Sequence, residues 1–271
     1  MNRSIGTPTW VDVGSNDFAA SKAFYEQLFG WQFEDSGEAM GHYTMITTKD
    51  GALVGGGMDT TGMTCPEGNP IPSSWDVYLA VDDVDARTKL AAEKGAHVIV
   101  EPGDAGAAGR FSMVLDPTGA SIGMWKSGDT EGYDFSMNVG TPVWFELMSQ
   151  DIEATKQFYT EVFDFQPVPM AESTDDAEDQ TNYFTNGPAD SSSSGLCNAQ
   201  GFIPAEMGSY WRTYFRVEDC DAASQRVTEL GGKVLDGPED SPFGRLATIQ
   251  DPAGATLMIV DTDTKVQEGQ S

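Results

Sequence analysis

The 271-residue chain carries 43 acidic residues against 15 basic ones, a formal net charge of −28, and 39% of its residues are hydrophobic. Such a charge repels phosphate backbones and anionic bilayers, which excludes nucleic acid and anionic membrane surfaces as partners, and no apolar run approaches the roughly 18 residues that cross a bilayer. The three scattered cysteines, Cys65, Cys197 and Cys220, make no disulfide framework, and no basic stretch followed by an apolar one opens the chain, so a cytoplasmic protein is expected.

Taken in chain order, the alternation over residues 8–13 predicts a strand. Asn16 is placed to cap a helix whose Ala20, Phe24 and Leu28 recur every four residues, and Gly30 ends it. Strands are expected at 31–34, 43–47 and 52–58. The run Gly55-Gly56-Gly57 inside the last marks a bend or a close backbone approach. Residues 75–81 form the next strand, Asp82 or Asp83 caps a helix to Lys94, and Gly95 stops it. Strands follow at 97–100, 111–115 and 121–126, with Asp116-Pro117-Thr118-Gly119 as the turn between the last two. Beyond a polar linker at 127–138, a helix is expected over 152–163. Cys220, Ala223, Val227 and Leu230 stripe another that Gly231 ends, which makes Cys220 a buried, inert thiol. The acidic insertion at 171–180 and the small-residue loop at 191–194 read as mobile, and the tail as loosely ordered.

The chain also repeats itself. Gly6-Thr7-Pro8-Thr9-Trp10 returns as Gly140-Thr141-Pro142-Val143-Trp144, an offset of 134 (140 − 6). Phe24-Tyr25, Trp75, Tyr78, Asp83 and Gly109-Arg110 answer to Phe158-Tyr159, Trp211, Tyr214, Asp219 and Gly244-Arg245, and Asp116-Pro117-x-Gly119 to Asp251-Pro252-x-Gly254. Each half divides again into two strand-helix-strand-strand-strand units. Four βαβββ modules follow, an α+β chain of two domains. The first domain is expected at 5–126 (modules 5–60 and 74–126) and the second at 139–262 (modules 139–200 and 209–262). The linker at 127–138 joins them and a tail occupies 263–271.

Paired βαβββ modules, Asp17 with Phe24-Tyr25 and Phe29-Gly30-Trp31, Val81-Asp82-Asp83-Val84-Asp85, and Asp116-Pro117-x-Gly119 together resemble the vicinal-oxygen-chelate superfamily. That superfamily includes glyoxalase I, extradiol dioxygenases and bleomycin- and fosfomycin-resistance proteins. Within it the chain looks like actinobacterial two-domain glyoxalase-like proteins, some labelled hydroxylases. The resemblance implies sheets curled around concave clefts with helices outside, and metal ligands on the first and last strands of modules. Carried onto this sequence, those positions are Trp10, Asp76 and Gly123 in the first half and Trp144, Arg212 and Met258 in the second. Of these only Asp76 could serve as a side-chain ligand, and a divalent first-row ion needs three or four donors. His42 and His97 fall outside these positions and read as surface histidines. No metal and no other cofactor is expected.

Alternation places Trp10 with Asp12, Trp144 with Glu146, Asp76 with Tyr78, and Arg212 with Tyr214 and Arg216 on the cleft side, joined by Trp125. These are the candidate ligand-binding residues: Trp10, Asp76, Tyr78, Trp125, Trp144, Arg212, Tyr214 and Arg216. Asp12 and Glu146 are candidate bases, or structural partners of Arg110 and Arg245. The two tryptophans either hold a ligand or fill the space of a lost metal. Arg212 with Arg216 makes the second half the favoured site for an anion. The expected function is binding of a small aromatic or anionic metabolite in a metal-free cleft. A glyoxalase-like lyase or isomerase using a carboxylate base, and an interaction protein with degenerate clefts, are the alternatives. The expected partner is a small molecule. Either a monomer with paired domains or a homodimer is compatible with the repeat.

Overall fold

The computed structural model describes residues 3–64, 68–134, 136–170 and 182–263. Cys65, the acidic segment at 171–180 and the tail from residue 264 lie outside them. The first module runs β1 (Pro8–Ser15), α1 (Phe18–Phe29), β2 (Gln32–Asp35), β3 (Thr44–Thr47) and β4 (Leu53–Asp59). The second runs β5 (Ser74–Ala80), α2 (Val84–Glu93), β6 (His97–Asp104), β7 (Gly109–Leu115) and β8 (Ser121–Ser127). The third holds β9 (Pro142–Ser149), α3 (Ile152–Phe163), β10 (Val168–Pro169), β11 (Tyr183–Thr185) and β12 (Gly195–Asn198). The fourth holds β13 (Tyr210–Arg216), α4 (Cys220–Glu229), β14 (Lys233–Ser241), β15 (Gly244–Gln250) and β16 (Thr256–Asp261). Two eight-stranded mixed sheets result, in the orders β2-β3-β4-β1-β5-β8-β7-β6 and β10-β11-β12-β9-β13-β16-β15-β14, and neither closes. No helix among the described residues is long and apolar enough to cross a membrane.

All four helices start the same way. An aspartate with extended or near-extended backbone accepts the amide three residues on: Asp17 from Ala20, Asp83 from Ala86, Asp151 from Ala154 and Asp219 from Ala222, at 2.9–3.1 Å. This satisfies an otherwise orphaned N–H and places a negative charge at the positive end of the helix dipole. Asp17 is therefore the first cap, not Asn16. Asn16 instead donates its side-chain amide to Ile71 O at 2.9 Å, holding the loop before β5. Gly30 closes α1 at φ 71°, a left-handed position that glycine adopts without strain. At the end of α3 that position is Asp164, φ 58°. Its carboxylate takes two N–H groups of Arg87, each at 2.9 Å, while Arg87 Nη1 also caps Val162 O.

The chain packs as two compact units. One contains the N-terminal stretch through Trp10, Asp76–Gly132 and Trp144–Arg212. The other contains Val11–Trp75, Tyr133–Val143 and the stretch from Thr213 on. In the first unit α2 packs with α3, and at its centre Trp211 Nε1 donates to Tyr159 OH at 2.8 Å while Tyr159 OH donates to Asp116 Oδ2 at 3.1 Å. The second unit repeats this with α1 and α4. There Trp75 Nε1 donates to Tyr25 OH at 2.9 Å, and the same hydroxyl bonds Asp251, which also accepts Ser21 Oγ at 2.6 Å. Aromatic rings enclose each chain of bonds: Phe158, Phe163, Phe165 and Trp211 around Tyr159, and Phe24, Phe29, Trp31 and Trp75 around Tyr25. Burial, and then the aspartate charge, push both phenols well above their ordinary range, so they stay neutral donors.

Two segments are more tightly held than their composition suggests. Tyr133, inside the expected polar linker, is 1% exposed. The loop at 191–194 is pinned by Asn186, whose side-chain oxygen accepts the amides of Ser193 and Ser194 at 2.9 and 3.2 Å.

Replacing Tyr159 with Phe keeps the ring but takes the Tyr159 donor from Asp116 Oδ2 and the acceptor from the Trp211 indole N–H in a dry interior. A loss of about 1–3 kcal/mol of unfolding free energy is expected in chemical denaturation. Burial raises Asp116 above its ordinary 3.8, against the pull of its bonds from Thr118, Ala120 and Tyr159. The folded chain thus holds that proton at higher pH than the unfolded chain, so this contribution favours the fold on acidification and is lost as pH rises through the raised value. The stability margin of wild type over Asp116→Asn is expected to widen from neutral pH toward pH 4 in parallel urea titrations.

Candidate functional site

The first strand of each half pairs in parallel with the last strand of its module, and in both halves a buried carboxylate falls opposite a glycine. Asp12 faces Gly56, and Glu146 faces Gly195. A tyrosine from the adjoining strand region fills the space each glycine leaves. A β-carbon on Gly56 would overlap the Tyr43 hydroxyl, and one on Gly195 the Tyr183 hydroxyl. The glycine run at 55–57 thus serves a close approach within a strand.

From this shared frame the halves diverge. In the first, Tyr43 OH donates to Asp12 Oδ2 at 3.0 Å. In the second, Tyr183 OH accepts Trp144 Nε1 at 2.9 Å, and Glu146 Oε2 takes Arg212 Nε at 2.6 Å and also meets Arg212 Nη2. Trp144, Tyr183, Cys197, Tyr210 and Arg212 are all half-buried around the buried Glu146. Burial pushes the Cys197 thiol up to about 11, with Glu146 raising it and Arg212 lowering it. The same three influences act on Tyr210, with a net rise. These groups form one electrostatic cluster within one compact unit.

The remaining expected site residues have definite partners. Trp10 is 5% exposed and stacks on Trp125, centroids 6.3 Å apart and planes 18° from parallel. Asp76 accepts Ser121 Oγ at 3.3 Å. Tyr78 lies over Gly123, its strand partner, and its hydroxyl reaches Met113 Sδ at 3.5 Å. Tyr214 is buried opposite Met258, whose sulfur accepts Thr248 Oγ1 at 3.0 Å.

Two expectations are corrected. Arg110 and Arg245 do not reach Asp12 and Glu146. They clasp Asp85 with Asp104, and Asp221 with Asp240, at 2.6–2.9 Å. Asp85 and Asp221 stand in the first turns of α2 and α4, so these clasps fasten helix to hairpin. Arg212 and Arg216 form no common anion fork: Arg216 is occupied by Met137 O at 2.5 Å and Asp263 Oδ2 at 2.6 Å, and Arg212 by Glu146. Tyr43, Tyr183, Cys197 and Tyr210 were not singled out in the sequence. For Tyr43 and Tyr183 the signal was the glycine opposite each carboxylate, in the stretch where the two halves drift out of register.

The positions that hold metal in the resembled superfamily do not form a donor set here. Gly123 offers no side chain, and the Tyr78 ring occupies the space a longer residue would need. Trp10 is stacked on Trp125, and Arg212 is a cation. Among the described residues no three His, Cys, Asp or Glu side chains gather into a potential metal cluster. His42 is exposed and bonds Asp35 at 2.9 Å, and His97 is exposed at the start of β6.

The family model for the Glyoxalase/Bleomycin resistance protein/Dioxygenase superfamily matches residues 7–124 and again 141–259. The chain is 34% identical to the anthracycline biosynthesis protein DnrV of Streptomyces peucetius, over 94% of this chain and 93% of that one. It is 33% identical to CFP32 of Mycobacterium tuberculosis, provisionally named a glyoxylase, over 94% of both. In fold it is similar to the Mn(II)-bound glyoxalase from Novosphingobium aromaticivorans (TM-score 0.58, 17% identity, 97% of this chain, 86% of that one). It is also similar to the 2,3-dioxygenase LapB from Pseudomonas sp. KL28 (TM-score 0.61, 14% identity, 96% and 93%).

Gly195→Ala is expected to expel the Tyr183 hydroxyl and break its bond from Trp144. About 1–3 kcal/mol of stability should be lost, with a shift in tryptophan emission that Gly195→Ala shares with Tyr183→Phe.

Proposed function

The chain belongs to the Glyoxalase/Bleomycin resistance protein/Dioxygenase superfamily, and from that membership we propose that it binds a planar aromatic metabolite on side chains of its second half, without a resident metal ion. The observation that carries this reading is the half-buried cluster of Trp144, Tyr183, Tyr210 and Arg212 around Glu146. Partly exposed aromatic faces with a few oriented polar groups are the usual make-up of a small-molecule site. The equivalent tryptophan of the first half, Trp10, has its face against Trp125 instead. The residues at the family's ligand positions, a glycine under the Tyr78 ring, a stacked tryptophan and an arginine among them, support a metal-free mode of binding. The relative named for anthracycline biosynthesis suggests fused hydroxylated rings as the ligand class to try first.

A lyase reading needs a carboxylate poised to take a substrate proton. Glu146 is held by Arg212 and Asp12 by Tyr43, which favours binding over that chemistry. The test is a tryptophan-fluorescence titration with a dihydroxyanthraquinone. Saturable quenching is expected. Trp144→Ala should weaken it about tenfold, near 1.4 kcal/mol, and prior treatment with a strong chelator should leave the affinity unchanged. Loss of binding on chelation, restored by a divalent ion, would overturn the metal-free reading. Turnover of a glutathione hemithioacetal would move the protein to the lyase class.

A further inference from the structure

Tyr210 opens β13 two residues before Arg212, so both side chains project from one face of that strand. Its phenol feels Arg212, Glu146 and the Cys197 thiol, which places it within the half-buried cluster. The hydroxyls of Tyr43, Tyr78 and Tyr183 have protein partners in Asp12, Met113 and Trp144. The Tyr210 hydroxyl makes no hydrogen bond to any described residue, and it is not sealed in the interior. Burial, the largest influence on it, raises it above its ordinary 10.0, so near neutral pH the phenol keeps a proton to donate. In the sheet order β11-β12-β9-β13, Tyr183 stands on β11, Trp144 on β9 and Tyr210 on the strand beside it. In the first half the position equivalent to Tyr210 is Ser74, so the phenol is particular to this copy.

We infer that Tyr210 is a ligand-binding residue that donates a hydrogen bond to a carbonyl oxygen, and that the ligand is an uncharged aromatic ketone or quinone. This rests on the aromatic-binding reading of the same cluster. A hydroxyl half-withdrawn from water and unmatched within the protein favours a ligand that brings the acceptor. A carbonyl on the edge of a flat ring system supplies it, because its lone pairs lie in the plane of the rings. Such a ring system resting on Trp144 and Tyr183 presents that edge to β13. Glu146 and Arg212 already answer each other's charge, so an uncharged acceptor suits the frame better than a carboxylate, which would bring a second negative charge beside Glu146.

The test sets 9-fluorenone against fluorene, which carries a methylene in place of the carbonyl. Binding is measured by equilibrium dialysis on wild type, Trp144→Ala and Tyr210→Phe, each checked by circular dichroism. Tyr210→Phe is expected to weaken fluorenone about fivefold and to leave fluorene unchanged, whereas Trp144→Ala weakens both. The infrared carbonyl stretch of fluorenone bound to wild type should lie below its position in dry alkane, and should move back toward that position in Tyr210→Phe. A wild-type stretch equal to that in alkane overturns the inference without recourse to a variant. Trp144-dependent binding of both compounds, with a fluorenone-to-fluorene ratio and a carbonyl stretch that Tyr210→Phe does not move, also overturns it and leaves the aromatic-binding reading standing. Binding of neither compound overturns both.

Discussion

A buried aspartate–tyrosine–tryptophan chain of hydrogen bonds organises each compact unit, and the rest of the structure is arranged around it. In both copies the aspartate comes from an Asp-Pro-x-Gly turn, the tyrosine from the first helix of a half, and the tryptophan from a following strand. A phenol and a carboxylate can enter a dry aromatic interior only if every polar atom finds a partner. The turn does part of this locally, since Asp116 Oδ1 accepts Thr118 N at 2.7 Å and Ala120 N at 3.0 Å. Its second oxygen is left to reach a helix far away in sequence. Asp116 of the second module meets Tyr159 of the third, and Asp251 of the fourth meets Tyr25 of the first. The motifs that mark the repeat are thus the joints between modules of different halves.

Because these joints hold the helices, the central strands were free to diverge. The two copies share a carboxylate opposite a glycine with a phenol in the gap. The first copy then gives the phenol's proton to Asp12, whereas the second gives the phenol an indole N–H and its carboxylate a guanidinium. At equivalent positions, Asp76 accepts Ser121 Oγ where Arg212 pairs with Glu146. A glycine and an aromatic ring are matched at a second place. Glycine at 123 goes together with the Tyr78 ring above it, since any β-carbon there would overlap that ring.

Ion pairs at the periphery have a different character. Arg110 with Asp85 and Asp104, and Arg245 with Asp221 and Asp240, are repeated in both halves but solvated, and individually contribute little. They orient a helix terminus against a hairpin. With net charge −28, nearly every arginine is drawn to a neighbouring carboxylate, which is why the Arg212–Arg216 anion fork did not form.

The sequence by itself determined the modules, the cap of the second helix to within one residue (Asp82 or Asp83), the glycine stops and the family. These depend on local backbone preferences and on spacing along one strand or helix. It placed the helix at Ile152–Phe163 to the residue, yet chose Asn16 over Asp17 as a cap, because either side chain can accept an amide there and only the loop at Ile71 decides which is engaged elsewhere. Tertiary structure alone decided which carboxylate meets which arginine, that Tyr43 and Tyr183 fill the space over Gly56 and Gly195, and that Asp116 and Asp251 are joints. A long side chain selects its partner by what burial brings within about 3 Å, and residues up to 230 positions apart carry no trace of that meeting in their order along the chain.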